Sequence, residues 1–313
     1  MNWRLAVVLS CGLLVGTAGC QASTAGSDSL EEPAAKPRIV ATTSLIGDAL
    51  SRVASDRIEL RVLLPPGADP HSFQSSPQDA AAVAKAQLVF INGFGLEEGL
   101  LETVASIAGS VPLVSISEGI EPRVLEVGEG EHGDAGAADP HVWLDPTNVM
   151  VWIENARAAL TSLDPGGADY YGANAAAYQA ELEGLDAWIR SEVERIPPAN
   201  RELVTDHDNL GYFAARYRFT VVGAVIPAYS TLARPSAQEI AELERAIARY
   251  EVPALFVGVA VNPVLSAQIA QDLGVDLVPL YTDSLSIPGG PAATYLQMMQ
   301  YTVRAIVEAL TIR

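Results

Sequence analysis

The chain has 313 residues, of which 49% are apolar and 18% are charged, a balance that is typical of a packed globular protein and excludes a disordered or fibrous one. Asp and Glu number 38 against 19 Lys and Arg, and the resulting charge of −19 repels nucleic acid, so we expect no DNA or RNA partner. The two cysteines, Cys11 and Cys20, both lie near the N-terminus, so no disulfide can stabilise the body of the chain.

The N-terminus has the pattern of an export signal. Arg4 precedes a short apolar run over residues 5–15, and small residues lead up to Cys20. The run is too short to span a bilayer permanently. The pattern resembles the bacterial lipoprotein signal, which implies a signal peptide at 1–19 and a lipidated Cys20 as the first mature residue. The alternative is a secreted protein with a free Cys20.

A tether follows the lipidated cysteine. Residues 21–37 are mainly Ser, Ala, Gly, Glu, Asp and Pro, and they cannot bury enough apolar surface to order. We therefore predict that 20–37 comprise the lipid anchor and a flexible tether. The expected location is the outer face of the cytoplasmic membrane, in a periplasm or at the cell surface.

From residue 38 onward, short β-branched runs alternate with helical stretches. In the first half the strand-like runs lie at 39–42, 58–64 and 88–92, and in the second half at 202–205, 220–225, 254–259 and 276–279. This alternation predicts an α/β fold of two similar lobes, each with a parallel sheet flanked by helices. The segment Ser236–Glu239 is a capping box and predicts the start of a helix.

One long helix is predicted between the halves. Its apolar residues repeat at three and four positions from Tyr178 to Ile196, and Pro197-Pro198 ends the run. A helix of about 25 residues would be about 37 Å long. We predict that it rigidly joins the lobes; the alternative is an ordinary packed helix of one lobe. The predicted division is an N-terminal lobe at 38–167, a connecting helix at 168–197 and a C-terminal lobe at 198–313.

Histidine is rare and patterned in this chain. There are four, His71, His132, His141 and His207, and all except His132 follow an acidic residue and a predicted strand or tight turn. A further strand-like run ends at Asp283. Since the carboxyl ends of parallel strands form the ligand crevice of open α/β sheets, these groups can converge in the cleft between the lobes, two from each half.

Three imidazoles and one carboxylate make a closed four-ligand shell for a divalent metal such as zinc. We therefore predict His71, His141, His207 and Asp283 as metal ligands. Each histidine alone would more often be a hydrogen-bonded structural residue, and Asp283 alone would cap a turn or short helix. The combination is what favours a metal site.

His132 lies in an acidic, glycine-rich loop over residues 128–136. A solvated loop is one interpretation. The other is a weak metal-collecting arm, because negative charge raises the local concentration of cations and a histidine can pass a metal inward.

With these residues in place, the chain resembles the substrate-binding lipoproteins of bacterial zinc and manganese ABC importers (cluster A-I, zinc type). The resemblance covers residues 38–313. Its motifs are Leu64-Pro65-Pro66-Gly67-Ala68-Asp69-Pro70-His71-Ser72-Phe73, Asn92-Gly93-Phe94-Gly95-Leu96-Glu97, Asp139-Pro140-His141-Val142-Trp143-Leu144-Asp145-Pro146, Thr205-Asp206-His207-Asp208-Asn209-Leu210-Gly211-Tyr212-Phe213 and Tyr281-Thr282-Asp283-Ser284-Leu285.

The resemblance implies two lobes bridged by a rigid helix, a metal held between them by His71, His141, His207 and Asp283, and delivery to a membrane permease. We expect a monomer. In this family the third ligand is commonly glutamate in manganese and iron binders and histidine in zinc binders. His207 therefore favours Zn²⁺, in agreement with the preference of nitrogen ligands for zinc, and Mn²⁺ or mixed binding is the alternative.

Two departures from the family pattern stand out. Many zinc-specific relatives have a long histidine-rich loop before the second ligand, whereas this chain has only His132 among acids. Where the family often has Phe-Val-Glu-Ser-Ser, this chain has Phe256-Val257-Gly258-Val259-Ala260, so a carboxylate is missing near the cleft and Gly258 is assigned no metal role.

The leading function is metal capture for import, with no reaction catalysed. A zinc hydrolase is the chief rival: three ligands would hold the metal and Asp283 would act as base to a bound water. The chain has neither His-Glu-x-x-His nor Gly-x-Ser-x-Gly, which disfavours an enzyme. An adhesin has no specific support among the residues.

Overall fold

The computed structural model describes residues 35–97, 100, 109, 111–124 and 136–311. Within these residues, each half of the chain contains a parallel four-stranded sheet. The predicted lipidation site Cys20 and the loop residue His132 lie outside these residues. The strands are β1 Arg38–Ala41, β2 Glu59–Val62, β3 Leu88–Ile91, β4 Leu113–Ser115, β5 Glu202–His207, β6 Thr220–Ile226, β7 Ala254–Gly258 and β8 Asp276–Leu280.

The two sheets have the same strand order. The first sheet is ordered β2-β1-β3-β4 and the second β6-β5-β7-β8, and every pairing is parallel. In each sheet the chain moves from the first strand to one side and then returns to the other. This reversal places a crevice at the carboxyl ends of β1 and β3, and another at those of β5 and β7.

Helices flank both sheets, and the predicted α/β class with two parallel sheets is confirmed. Among the described residues they are α1 Ser44–Ala54, α2 Pro77–Lys85, α3 Pro146–Leu163, α4 Ala168–Val193, α5 Gly211–Tyr217, α6 Ala237–Tyr250, α7 Val264–Leu273 and α8 Tyr295–Thr311. The predicted capping box is present at α6, where Ser236 and Glu239 exchange hydrogen bonds. No helix in this part of the chain is both long enough and apolar enough to cross a membrane.

The long helix α4 has 26 residues, which corresponds to about 39 Å. It packs on α1 and α3 from the first half and on α8 at the end of the second. It ends at Val193 rather than continuing to Pro197, because proline disfavours the helical conformation in the residue before it, and residues 194–196 form a turn.

The main apolar core is shared by the two halves. One contiguous cluster includes buried side chains of both sheets, of α4 and of α8, among them Ile39, Leu182, Phe256 and Met298. Burial on both faces explains why strands β1, β3 and β7 read as nearly continuous apolar runs rather than as alternating ones. The shared core brings the carboxyl ends of the two sheets together at one cleft.

Candidate metal centre

The turn after β2 carries His71. Gly67 in this turn has a φ of 81°, which a residue with a side chain rarely adopts, and its N–H donates to Ser284 Oγ in the second half at 2.8 Å. Two residues before the histidine, Asp69 Oδ1 accepts the backbone N–H of His71 at 3.0 Å. The turn is thereby held by one hydrogen bond to the second half of the chain and by one hydrogen bond within the turn itself.

His141 follows an isolated bridge between Val124 and Ala138, so of the two predicted placements, after a strand or after a tight turn, it does not follow one of the sheet strands. Asp139 Oδ1 accepts both the backbone N–H and the Nδ1–H of His141, at 2.9 and 2.8 Å. The side-chain amide of Asn92, just beyond β3, donates to Pro140 O at 3.0 Å. The crevice of the first sheet thus positions this histidine indirectly.

His207 is the last residue of β5. Asp206 Oδ1 accepts its backbone N–H at 2.7 Å and its Nδ1–H at 2.9 Å, and Asp206 Oδ2 accepts the N–H of Gly258 at 2.7 Å. At both His141 and His207, Nδ1 faces a carboxylate oxygen, so Nδ1 carries a proton and Nε2 is the nitrogen that binds a metal, at His207 once its second proton has left.

Asp283 lies in the turn after β8. Thr282 Oγ1 donates to Asp283 Oδ2 at 2.8 Å, and Thr282 O accepts the indole N–H of Trp143 at 2.6 Å. The other carboxylate oxygen, Oδ1, is buried and has no hydrogen-bond partner. A buried acceptor without a donor costs about 1–3 kcal/mol, which a bound cation would relieve.

The three histidines converge on one point. Their donor atoms lie within 4.8 Å of one another, and Nε2 of His141 is 3.3 Å from Nε2 of both His71 and His207. Ligands at about 2.0–2.1 Å from a tetrahedral zinc ion are about 3.3–3.4 Å apart. Asp283 Oδ1 stands slightly farther away, 3.9 Å from His141 Nε2, and outside the group of mutually near donors.

All four side chains are buried. His71 is 1% exposed, His141 and His207 are 0% exposed and Asp283 is 3% exposed. Water is therefore excluded from the cluster, and electrostatic interactions within it are strong.

The imidazoles differ in their protonation. Burial and the neighbouring imidazoles hold the pKa of His71 and of His141 well below the usual value, so both are neutral at physiological pH. Burial alone would also lower the pKa of His207, but the carboxylates of Asp206, Asp283 and Asp69 outweigh it and raise that pKa to about 9. One imidazolium therefore sits among neutral ligands.

The carboxyl groups respond to the same environment. Burial raises the pKa of Asp283 to about 6 and that of Asp139 to about 7. Burial acts in the same direction on Asp206, but the charge of His207 and the hydrogen bonds from His207 and Gly258 hold its pKa below the usual value. Near neutral pH the ionised carboxylates thus give the cluster negative charge, which attracts a cation.

The sequence places an acidic residue shortly before each of the three clustered histidines, but the pattern alone does not assign these acids a role. In the structure Asp69, Asp139 and Asp206 each accept the backbone N–H of the histidine that follows, and the last two also orient its ring. The repeated Asp-Pro-His triplet was the available signal, because carboxylate–histidine pairs commonly orient metal ligands.

Hydrogen bonds join the two halves around the cluster. Thr231 Oγ1 donates to Asp69 Oδ2 at 2.7 Å, and the N–H of Leu285 donates to Ser44 Oγ at 3.0 Å. Together with the bond between Gly67 and Ser284, they hold the cleft closed over the imidazoles.

Paired parallel sheets, a long helix packed on both halves and a closed imidazole cluster between them indicate a metal-binding protein, and its relatives place it among the substrate-binding proteins of metal ABC importers. The chain belongs to the family "ZnuA: Zinc-uptake complex component A periplasmic", which matches residues 39–309. It is accordingly a binding protein and not an enzyme, and the hydrolase alternative falls.

Relatives with different metals in their names match this chain. It is 34% identical over 295 residues to the manganese-binding lipoprotein MntA of Halalkalibacterium halodurans, with 94% of each chain covered. The structure of the periplasmic zinc binding protein TroA from Treponema pallidum superimposes with a TM-score of 0.81 at 30% identity, covering 88% of this chain and 99% of that one. A Mn-bound periplasmic metal binding protein from Candidatus Liberibacter asiaticus gives a TM-score of 0.76 at 28% identity, covering 88% and 100%.

Proposed function

We propose that this protein captures Zn²⁺ outside the cytoplasm with His71, His141, His207 and Asp283 and delivers it to the membrane permease of an ABC importer. The observation that carries the proposal is the pair of 3.3 Å separations between Nε2 atoms, which match the edge of a zinc tetrahedron. Asp283 Oδ1 completes the shell after a small approach, since it has no other partner. A closed shell leaves no position for an activated water.

The donor set supports zinc over manganese. Three imidazoles, each neutral once it binds a metal, and one carboxylate suit zinc, whereas manganese favours oxygen ligands and lies below zinc in intrinsic affinity. Mn²⁺ or mixed binding is the second candidate, because MntA, 34% identical to this chain, is named for manganese.

The anchoring and the division of the chain belong to the same proposal. Cys20 carries lipid, residues 20–37 tether the protein to the outer face of the membrane, and the monomer consists of lobes 38–167 and 198–313 with the helical segment 168–197 between them. The lipoprotein relatives and the matching lipoprotein signal support the anchor. A metal-collecting role for the acidic loop around His132 is part of the proposal, and a solvated loop without such a role is the alternative.

The test is a metal titration of the purified protein after chelator treatment, with zinc and manganese at neutral pH. We expect one tightly bound zinc per chain that excess manganese does not displace. His141→Ala should lower zinc affinity by orders of magnitude because it removes the central imidazole, whereas His132→Ala should leave the equilibrium affinity unchanged.

Circular dichroism of the metal-free variants controls for folding. Comparable binding of manganese by the parent protein would replace the zinc proposal with a manganese or mixed-metal one. Equal zinc affinity of the parent and His141→Ala would show that the metal binds elsewhere.

A further inference from the structure

The indole of Trp143 lies beside the histidine cluster and contacts both halves of the chain. Trp143 is fully buried in the short turn Val142–Leu144, which follows His141. Its ring packs against that of His141 in an edge contact, with 5.4 Å between the ring centroids. Its indole N–H donates to Thr282 O in the second half at 2.6 Å. One side chain thus touches the ring of one candidate ligand and the residue next to another.

The position of Trp143 is itself fixed. Tyr295 Oη donates to Trp143 O at 2.7 Å, and the backbone N–H of Tyr295 donates to Asp48 Oδ2 at 3.0 Å. The indole also packs against the ring of Trp152, with 6.2 Å between the ring centroids. A buried indole whose backbone is held and whose ring is packed against two others has little freedom, so its N–H stays directed at Thr282.

Thr282 links this fixed point to Asp283. The residue is buried, its carbonyl accepts the indole N–H, and its hydroxyl donates to Asp283 Oδ2 at 2.8 Å. The other carboxylate oxygen, Oδ1, has no hydrogen-bond partner and is 3.9 Å from His141 Nε2. These hydrogen bonds hold Asp283 by one oxygen and leave the other for a metal.

We propose that Trp143 is a positioning residue for Asp283 and acts through the hydrogen bond from its indole N–H to Thr282 O. This inference rests on the proposed function, since it takes Asp283 as a ligand. Without the indole N–H, the buried carbonyl of Thr282 loses its donor, which favours a shift of the turn that carries Asp283. The metal then keeps its three imidazoles, but the carboxylate is no longer held in place for it.

The experiment compares Trp143→Phe with the parent protein, because phenylalanine keeps an aromatic ring beside His141 but has no N–H. Zinc affinity should fall about 10- to 100-fold, the usual range for residues that orient metal ligands. The matched control is Trp152→Phe. Trp152 is likewise buried, but its indole N–H donates to Ser117 Oγ at 2.9 Å and not to a residue of the metal site. This control should change zinc affinity less than twofold.

A spectroscopic signature separates loss of the carboxylate from a general loss of stability. Co²⁺ is the probe, because its visible absorption depends on the number and type of its ligands. The spectrum of Co²⁺-loaded Trp143→Phe should shift toward that of Asp283→Ala, whereas Trp152→Phe should keep the parent spectrum. In the Asp283→Ala background, Trp143→Phe should change zinc affinity less than twofold, because the ligand that it positions is already absent.

A second variant removes the N–H without leaving a cavity. Benzothienylalanine has nearly the shape of tryptophan, with sulfur in place of the indole N–H. Placed at position 143, it should also lower zinc affinity about 10- to 100-fold, and it decides the question if Trp143→Phe is poorly folded. Thermal unfolding of each metal-free variant monitors folding.

Three results would overturn the inference. They are parental zinc affinity in the benzothienylalanine variant, an equal loss of affinity in Trp152→Phe, and an undiminished effect of Trp143→Phe in the Asp283→Ala background. If the parent protein bound no zinc, the proposed function itself would fail, which is distinguishable from failure of the Trp143 inference alone.

Discussion

At the scale of single residues, the unusual group is the imidazolium of His207. The pKa of about 9 arises because the carboxylates around it outweigh its burial. A metal can bind Nε2 only after the proton leaves, so metal and proton compete at this atom. His71 and His141 add little competition, since their pKa values lie well below the usual one.

We therefore predict that zinc binding at pH 7.5 releases about one proton and that zinc affinity rises up to about tenfold per pH unit until about pH 9. Below about pH 6 the affinity should fall more steeply, because Asp283, whose pKa is raised to about 6, also takes up a proton. Isothermal titration calorimetry in buffers of different ionisation enthalpy counts the protons.

The folding stability of the metal-free protein depends on pH in the opposite direction to the zinc affinity. Because the pKa of His207 is raised above its usual 6.5, its contribution to folding is complete below pH 6.5 and is lost as the pH rises through about 9.

A variant tests the proton count. Asp206→Asn, which removes the main charge partner of His207, should reduce the proton release at pH 7.5. Release of no protons from the parent protein would contradict a charged His207.

At the scale of elements, turns rather than strands close the site. The turn after β2 contacts the second half through Thr231, which donates to Asp69, and through Ser284, which accepts from Gly67. Asp69 in turn holds the backbone of His71. Closure and the placement of one ligand are thus connected through a single carboxylate.

Thr231→Val should speed zinc release about fivefold, because it removes one hydrogen bond of about 1 kcal/mol between the halves while keeping the side-chain shape. Ser72→Ala is the matched control, since Ser72 Oγ donates to the same Asp69 oxygen at 2.9 Å from within the first half. Stopped-flow release into an excess of chelator measures both rates. Equal rates in the two variants would argue against a closing role for Thr231.

Local sequence predicted the elements that carry strong local signals. The β-branched runs located β1 and β5, and the pattern up to Pro197 located α4. Strand β4 was not predicted, because Leu113–Ser115 is three residues long and lacks a periodic pattern. Helix α3 was also not predicted, although Asp145 as N-cap followed by Pro146 is a helix-start signal.

The histidines of the site were predictable because they are few and follow acids. The bond from Asn92 to Pro140 was not, since it joins residues 48 positions apart and no local pattern encodes such a contact. The hydrogen bond from the Gly258 N–H to Asp206 was equally hidden, because it joins residues 52 positions apart. A single sequence shows the residue types, but it does not show which distant residues the fold brings into contact.

At the scale of the whole molecule, the candidate metal site is closed off from solvent. The four candidate ligands are at most 3% exposed, and the hydrogen bonds between the halves lie around them. A chelator would reach a metal bound there only after the cleft opens. Opening motions of this kind take microseconds to seconds, so they set the limit on exchange.

We predict that the rate of zinc removal is independent of chelator concentration once the chelator is in excess, because opening precedes capture. A series of EDTA concentrations, followed by tryptophan fluorescence, measures this dependence, since the Trp143 ring lies 5.4 Å from that of His141. Thr231→Val should show the same plateau at a higher rate. A rate that rises in proportion to EDTA would indicate direct attack on an accessible metal.

The identical strand order of the two sheets has a consequence for how the cargo is given up. Each half contributes two of the four proposed ligands, His71 and His141 from the first and His207 and Asp283 from the second. Neither half alone supplies more than two ligands to the metal. A partner that separates the halves by a few ångströms therefore has no need to compete for the ion, because the coordination number drops from four to two in one movement and the release behaves as a switch.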